Sequence, residues 1–301
     1  MQTCIETHGL TKRYGKKTAL KDFTLEIQQG GIHAIVGSNG AGKSTLFRML
    51  LGITTPTSGS ARLLGQDSRM LAPEVRGRVG YVNEEHTLPL WMKARQITAQ
   101  QKSFYPQWNQ SIHDEVIGYF DVDPEQKVAG LSRGERAGLN LAMALAQAPD
   151  VLILDEPTLG LDVVARQSFL EALMFTEREA NTTIIYCSHQ MEEIERVADQ
   201  LIVMEKGMLK NNSSPDEFVA RVSYWVGDFA NGLPAKNTIP GYLTHRTIDG
   251  NHHILVADQG DDFGQYLKQN GARTVARNAV NLERAVNAFL TKNHNTPDSR
   301  V

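Results

Sequence analysis

Residues Gly37-Ser38-Asn39-Gly40-Ala41-Gly42-Lys43-Ser44-Thr45 decide the fold. They fit G-x-x-x-x-G-K-[ST], the phosphate-binding loop, at Gly37, Gly42, Lys43 and Ser44. An apolar strand candidate, Ile32 to Val36, runs into the loop, and a helix candidate, Lys43 to Leu51, runs out of it. The backbone N–H groups from Ser38 to Thr45 are therefore expected to wrap the phosphates of a nucleotide. Glycine permits the close approach that a Cβ would block. Lys43 is placed to neutralise the terminal phosphates, and Ser44 to hold Mg2+. The helix N-terminus adds its dipole to the anion site.

The rest of the 301-residue chain has room for one large or two modest domains. Its net charge is −3 and it has no long basic block, so no nucleic-acid partner is expected. Cys4 and Cys187 are its only cysteines, which suits a reducing cytosol and argues against a disulfide scaffold. The first eight residues, Met1 to His8, lack the apolar core of a signal peptide. No apolar run approaches the ~20 residues that a membrane helix needs. A soluble chain that can dock on a membrane component is the expectation.

Along the chain the hydrophobic period changes repeatedly. Cys4-Ile5-Glu6 and Leu20 to Ile27 alternate as short antiparallel strands do. After the loop and its helix, Ala61-Arg-Leu-Leu64 and Val79 to Asn83 read as strands. From about 88 to 145 the pattern is helical, and its aromatics, Trp91, Phe104, Tyr105, Trp108, Tyr119 and Phe120, are expected in the core. Residues 136–148 form an Ala- and Leu-rich helix. Val151 to Leu154 is a wholly apolar strand, as in a parallel sheet covered on both faces. Helices near 163–178 and 190–198 and strands Thr182 to Cys187 and Leu201 to Met204 complete an α/β pattern. Lys210-Asn-Asn-Ser-Ser-Pro215 reads as a linker, so 1–210 and 211–301 are expected as separate domains. In the second, smaller α+β domain, Asp249-Gly250 marks a hairpin turn. A helix runs from about Phe263 to Gly271, and Asn281 caps another with one apolar stripe. Residues from about Asn293 are expected to fray. His245, His252 and His253 read as a polar hairpin surface, since adjacent strand residues point to opposite faces. Cys187 reads as a small buried strand residue.

Two further elements turn a nucleotide loop into a machine. The run Val151-Leu-Ile-Leu-Asp155-Glu156 delivers two carboxylates to the C-terminal end of a buried strand, where ligands of open α/β sheets sit. Asp155 can hold Mg2+ through its water shell, and Glu156 can act as general base toward an attacking water. Leu131-Ser132-Arg133-Gly134-Glu135 opens the Ala-rich helix. Ser-x-x-Glu is a capping box in its own right. The serine, the glycine and the helix N-terminus also make a second anion site.

This order of elements resembles the ATP-binding subunits of ABC transporters, over residues 1–210. The resemblance implies a P-loop ABC-type ATPase domain with an antiparallel β subdomain and a helical subdomain, followed by the small C-terminal α+β domain. It implies ATP and Mg2+ as ligands. It implies that Tyr14, in Lys-Arg-Tyr-Gly, stacks on adenine, and that Ser132, Gly134 and Glu135 close over nucleotide held by a second ATP-binding subunit, the same chain or a different one. Asp162, in Pro157-Thr-Leu-Gly-Leu-Asp, falls in the loop that couples the two sites, and His189 matches the switch histidine that reaches the γ-phosphate. Glu84 stands where the family usually has glutamine, with a catalytic and metal-contacting role. Arg133 and Glu135 also depart from the commoner glycine and glutamine.

Phe104-Tyr-Pro-Gln-Trp108 and the helix from Asn281 resemble segments of bacterial exporter ATPases linked to bacitracin and acetoin systems. Together these imply a subunit that powers a membrane exporter through separate transmembrane permease subunits, on the inner face of the cell membrane. The alternative is an ABC-type ATPase acting on ribosomes or nucleic acid. Translation-type members usually carry two cassettes in one chain. DNA-repair types insert long coiled coils, for which the ~90 residues between the phosphate-binding loop and the Ser132 segment leave no room at ~1.5 Å per residue. A slow nucleotide-binding regulator is disfavoured by the full set of Lys43, Asp155, Glu156 and His189.

Overall fold

The computed structural model describes residues 2–180, 182–230 and 232–291, and the chain divides into two units, Met1–Asn212 and Ser213–Val301. In the first, β1 (Thr3–Tyr14) and β2 (Lys17–Gln28) pair antiparallel. Along β2, Phe23, Leu25 and Ile27 are buried while Asp22, Thr24 and Glu26 are exposed. That alternation is the signature of a strand with one wet face. β3 (Ile32–Val36) is buried throughout and feeds the loop that opens α1 (Lys43–Leu50). β4 (Ser58–Leu63) and β5 (Gln66–Asp67) complete a four-stranded sheet of order β2-β1-β4-β5. There follow α2 (Pro73–Arg76), β6 (Val79–Asn83), α3 (Ala94–Phe104), α4 (Gln110–Gly118) and α5 (Arg133–Ala146). Then come β7 (Val151–Asp155), α6 (Val163–Ala180), β8 (Thr183–Cys187), α7 (Met191–Val197), β9 (Gln200–Glu205) and β10 (Met208–Ser213).

The main sheet has the order β10-β9-β3-β8-β7-β6, and the neighbours from β9 to β6 run parallel. Both of its faces are covered, which explains strands without polar alternation. Ile35, Ile153, Ile185 and Ile202 join a core with Phe23, Phe47 and Leu50. Leu152, Leu154, Ile184 and Tyr186 join the opposite core with Leu141, Leu145, Phe169 and Leu173. α3 and α5 share a satellite core of Met92, Ile97, Leu139 and Met143. Trp91 and Phe104 depart from the expected burial, being 75% and 67% exposed.

The stretch Lys210–Pro215 is not an open linker. Its first four residues lie in β10, and Ser214 caps α8 (Pro215–Ala220) in a reciprocal box with Glu217. The division therefore falls after Asn212, two residues later than expected. The second unit contains β11 (Val222–Phe229), β12 (Tyr242–Ile248), β13 (Asn251–Ala257), α9 (Phe263–Gln269), β14 (Ala272–Asn278) and α10 (Leu282–Thr291). Its antiparallel sheet has the order β12-β13-β11-β14. Asp249 and Gly250 both take positive φ, 49° and 79°, as the tight hairpin turn between β12 and β13 requires. Asn281 Oδ1 accepts the Arg284 N–H at 3.0 Å, capping α10. The apolar stripe of α10 is buried at Leu282, Ala285 and Val286, and Phe289 meets Phe218 of α8 at a 4.9 Å ring separation. The expectation for residues beyond Asn293 falls outside the described residues.

Candidate active site

Four parallel strands release their loops at one edge of the main sheet. The register pairs Asn83 with Asp155, Asp155 with Cys187, and Cys187 with Ile35. The phosphate-binding loop, Glu84, the Asp155-Glu156 pair and Ser188-His189 therefore leave the sheet together, at the carboxyl ends of the strands. A cavity of about 570 Å³ opens there. Asn39 to Thr45 form one wall, Tyr14 stands on another, and Glu84, Asp155 and Glu156 line it as well. Lys17 and Arg48 add two cationic side chains that sequence reasoning did not single out.

Gly42 has φ 104°, and a Cβ there would lie 2.5 Å from the Ala19 carbonyl oxygen. Only glycine fits that place in the loop. The Ser38 side of the loop is shaped by the Ala41 N–H donating to the Ser38 carbonyl at 2.9 Å. Ser38 itself is not in the cavity wall. Lys43 is 9% exposed, and its Nζ donates to the Gly37 carbonyl at 2.7 Å, which holds the ammonium at the loop.

Burial raises the Asp155 carboxyl above its ordinary range. A hydrogen bond from Ser44 opposes that shift, the charges of Glu156 and Glu84 reinforce it, and Lys43 opposes it again. Glu84, Asp155 and Glu156 thus crowd their charges at one side of the cavity. Its donor set is a hydroxyl and carboxylates, the hard oxygen ligands that Mg2+ takes. Among the described residues no group of three or more His, Cys, Asp and Glu side chains could hold a metal ion. Mg2+ is characteristically bound by one or two carboxylates, with phosphate oxygens and water completing its shell, so the residues present fit it.

Glu156 adopts φ 53°, a sparsely populated region for a residue with a side chain. Its N–H donates to the Cys187 carbonyl at 3.0 Å. Its Oε2 accepts the Nδ1–H of His189 at 2.8 Å, and its Oε1 faces the Cys187 thiol at 3.7 Å. Burial, then the Glu156 charge, pushes that thiol well up, so it remains an S–H donor. His189 is exposed and leaves Nε2 uncommitted to Glu156. A carboxylate poised beside an imidazole can take a proton from water and hold it.

The remaining expected site residues do not meet in this cavity. Ser132 caps α5, its Oγ accepting the Glu135 N–H at 3.1 Å while the Glu135 carboxylate accepts the Ser132 N–H at 2.6 Å. A Cβ on Gly134 would lie 2.7 Å from the Ala165 Cβ, so this glycine lets α5 approach α6. Asp162 caps α6, accepting the Ala165 N–H at 2.8 Å. None of these four lines the cavity. Two contacts tie the surrounding loops together. The Arg133 guanidinium donates to the Glu84 carbonyl at 3.2 Å, and the buried His86 donates from Nε2 to the Pro157 carbonyl at 2.8 Å. Burial holds the His86 ring below its ordinary range, hence neutral. His86 lies 71 positions from Pro157, so no local pattern signals this bond.

Known proteins resemble this chain in sequence and in fold. The family model described as ABC transporter matches residues 20–159. The chain is similar to the bacitracin transport ATP-binding protein BcrA of Bacillus licheniformis, at 33% identity over 90% of this chain and 84% of that protein. It is similar to the Nod factor export ATP-binding protein I of Burkholderia lata, at 34% identity over 93% of this chain and 94% of that one. Among solved structures it resembles CbiO1 of Clostridium perfringens, described as part of the ABC transporter complex CbiONQ. That match has a TM-score of 0.62 at 25% identity, over 73% of this chain and 92% of that one. A further ATP-binding subunit of an ABC transporter shares the fold, with a TM-score of 0.65 at 22% identity, over 72% of this chain and 92% of that one.

Proposed function

The chain belongs to the family of ABC transporter ATP-binding proteins, and from that premise we propose that it is the ATP-hydrolysing subunit of a membrane exporter. The reading is supported by relatives named for bacitracin transport and Nod factor export, which match along 84% and 94% of their length. The observation that carries it is the Glu156–His189 contact of 2.8 Å at the edge where the phosphate-binding loop emerges.

In this reading Tyr14 stacks on adenine, and the loop from Ser38 to Thr45 holds the phosphates with Lys43 as counter-charge. Ser44 and Asp155 would hold Mg2+, with Glu84 close by; the ion supplies neutralisation of phosphate charge. Glu156 receives a proton from the attacking water, and the departing pieces are ADP and phosphate. His189 is held beside Glu156 by its Nδ1–H on the carboxylate and is the side chain assigned to the terminal phosphate. Ser132, Gly134, Glu135 and Asp162 are absent from their own chain's cavity wall. We assign them to the nucleotide of a second subunit, bound head to tail. ATP closes that dimer and hydrolysis reopens it.

No helix among the described residues is long and apolar enough to cross a membrane. The work is therefore assigned to separate permease subunits, with this chain docked on the inner membrane face. The C-terminal unit carries no second phosphate-binding loop and is accessory. The test is purification of the tagged chain from native membranes with an ATPase assay. A polytopic membrane protein should co-purify, with ATP turnover. Recovery with ribosomes or nucleic acid, and no membrane subunit, would refute the exporter reading.

A further inference from the structure

Beneath the Glu156–His189 pair lies a carboxylate to which the mechanism above gives no task. Glu193, in the first turn of α7, is 3% exposed. Its Oε2 accepts three hydroxyl hydrogen bonds, from Tyr186 at 2.6 Å, Ser188 at 2.7 Å and Thr158 at 3.0 Å. Its Oε1 lies 3.4 Å from Arg166 Nε, a charge contact in which neither atom finds a hydrogen-bond partner. Arg166 in turn donates from Nη2 to the Leu161 carbonyl at 3.2 Å. Burial, and then the Glu193 charge, raises the Tyr186 phenol well above its ordinary range, so it stays a donor.

The location of these partners matters more than their number. Thr158 is two residues beyond Glu156, and Ser188 is the residue before His189. One buried oxygen thus grips both loops that carry the pair. A buried carboxylate with only an offset guanidinium nearby is a poor source of stability, because desolvation offsets what the contacts return. We propose that Glu193 is a positioning residue, fixing Glu156 against His189 by holding the 156–158 and 188–189 loops to a common acceptor. This inference rests on the hydrolytic reading of Glu156 and deepens it.

A displacement of ~1 Å at reacting groups can cost about 10²-fold in rate. Glu193→Ala should therefore hydrolyse ATP about 10–100-fold more slowly, with affinity for ATP changed by less than about threefold. The experiment is single-turnover hydrolysis by the full chain, alongside titration with a fluorescent ATP analogue. Four proteins are compared: wild type, Glu193→Ala, Glu156→Gln and the double variant. If Glu193 acts through Glu156, adding Glu193→Ala to Glu156→Gln should change the residual rate by less than about twofold. The same fold-loss in both backgrounds would make Glu193 ordinary scaffolding and overturn the proposal, as would a normal rate in Glu193→Ala.

Should Glu193→Ala fail to fold, Ser188→Ala and Thr158→Val each release one grip. Their losses are expected to be smaller and to vanish in the Glu156→Gln background; losses that persist there overturn the proposal equally. Wild-type hydrolysis by Glu156→Gln would remove the hydrolytic reading and this inference with it. Loss at Glu156 with none at Glu193 would remove the inference alone.

Discussion

Replacing Lys43 with alanine removes one charge from the phosphate wall and little else. The ammonium is 9% exposed, so bulk water screens it weakly. A unit charge about 4 Å from one unit of phosphate charge is worth about 4 kcal/mol at an effective dielectric of about 20. That corresponds to about a thousandfold in ATP affinity. The Nζ–Gly37 hydrogen bond of 2.7 Å is lost too, at about 1 kcal/mol of stability. Lys43 is the first residue of α1, where alanine is well tolerated, so the fold should hold. The assay is titration of wild type and Lys43→Ala with a fluorescent ATP analogue and Mg2+, after circular dichroism confirms equal helix content. An affinity within about threefold of wild type would refute the electrostatic argument and with it the assignment of the loop.

Two further substitutions separate binding from chemistry, and a third tests the buried carboxylate. Glu156→Gln keeps the side-chain shape but loses the base, so turnover should fall by about 10²–10⁴-fold while ATP binding persists. An ATP-bound dimer should then accumulate in sedimentation, and near-normal turnover would remove Glu156 from the mechanism. Glu84→Ala should bind ATP almost normally and hydrolyse it more slowly; a large loss of affinity would make Glu84 a direct binding group. Asp155 has its carboxyl raised by burial. Its contribution to stability is therefore present below its unfolded pKa and lost as pH rises through the folded one. Asp155→Asn, without nucleotide or metal, should melt higher than wild type near pH 7, by a margin that shrinks as pH falls into the acid range. A margin independent of pH would contradict that account.

The parts of the site visible in the sequence are those that a strand end and a local pattern define together. Lys43 and Ser44 lie in the loop and helix after β3, Asp155 ends β7 with Glu156 next to it, and each needs only its own dozen residues to be recognised. Ser132 and Glu135 were readable as a capping box, and the structure makes both of its hydrogen bonds. What sequence could not show depends on approach between distant segments. Glu193 meets Thr158 across 35 positions, and Arg133 meets Glu84 across 49. Glu193 looks like one more acid in Met191-Glu-Glu-Ile-Glu195, with nothing to say that it alone is buried. The Lys210–Pro215 stretch misled through composition. Polar residues suit an edge strand as well as a linker, and β10 is the edge of its sheet. Trp91 and Phe104 misled in the opposite way, since aromatic character does not fix which side of a helical layer faces water.

The claim on which the mechanism turns is that each nucleotide is enclosed by the loop of one subunit and the Ser132 segment of another. It is tested by the ATPase rate of Ser132→Arg and Lys43→Ala proteins, alone and mixed. In a symmetric pair each site takes the loop from one chain and the Ser132 segment from its neighbour, so a mixed dimer has one site with both lesions and one with neither. Each variant alone should be inactive, and an equimolar mixture should recover about a quarter of the wild-type rate. A Ser132→Arg protein that hydrolyses ATP at the wild-type rate by itself would contradict the composite site.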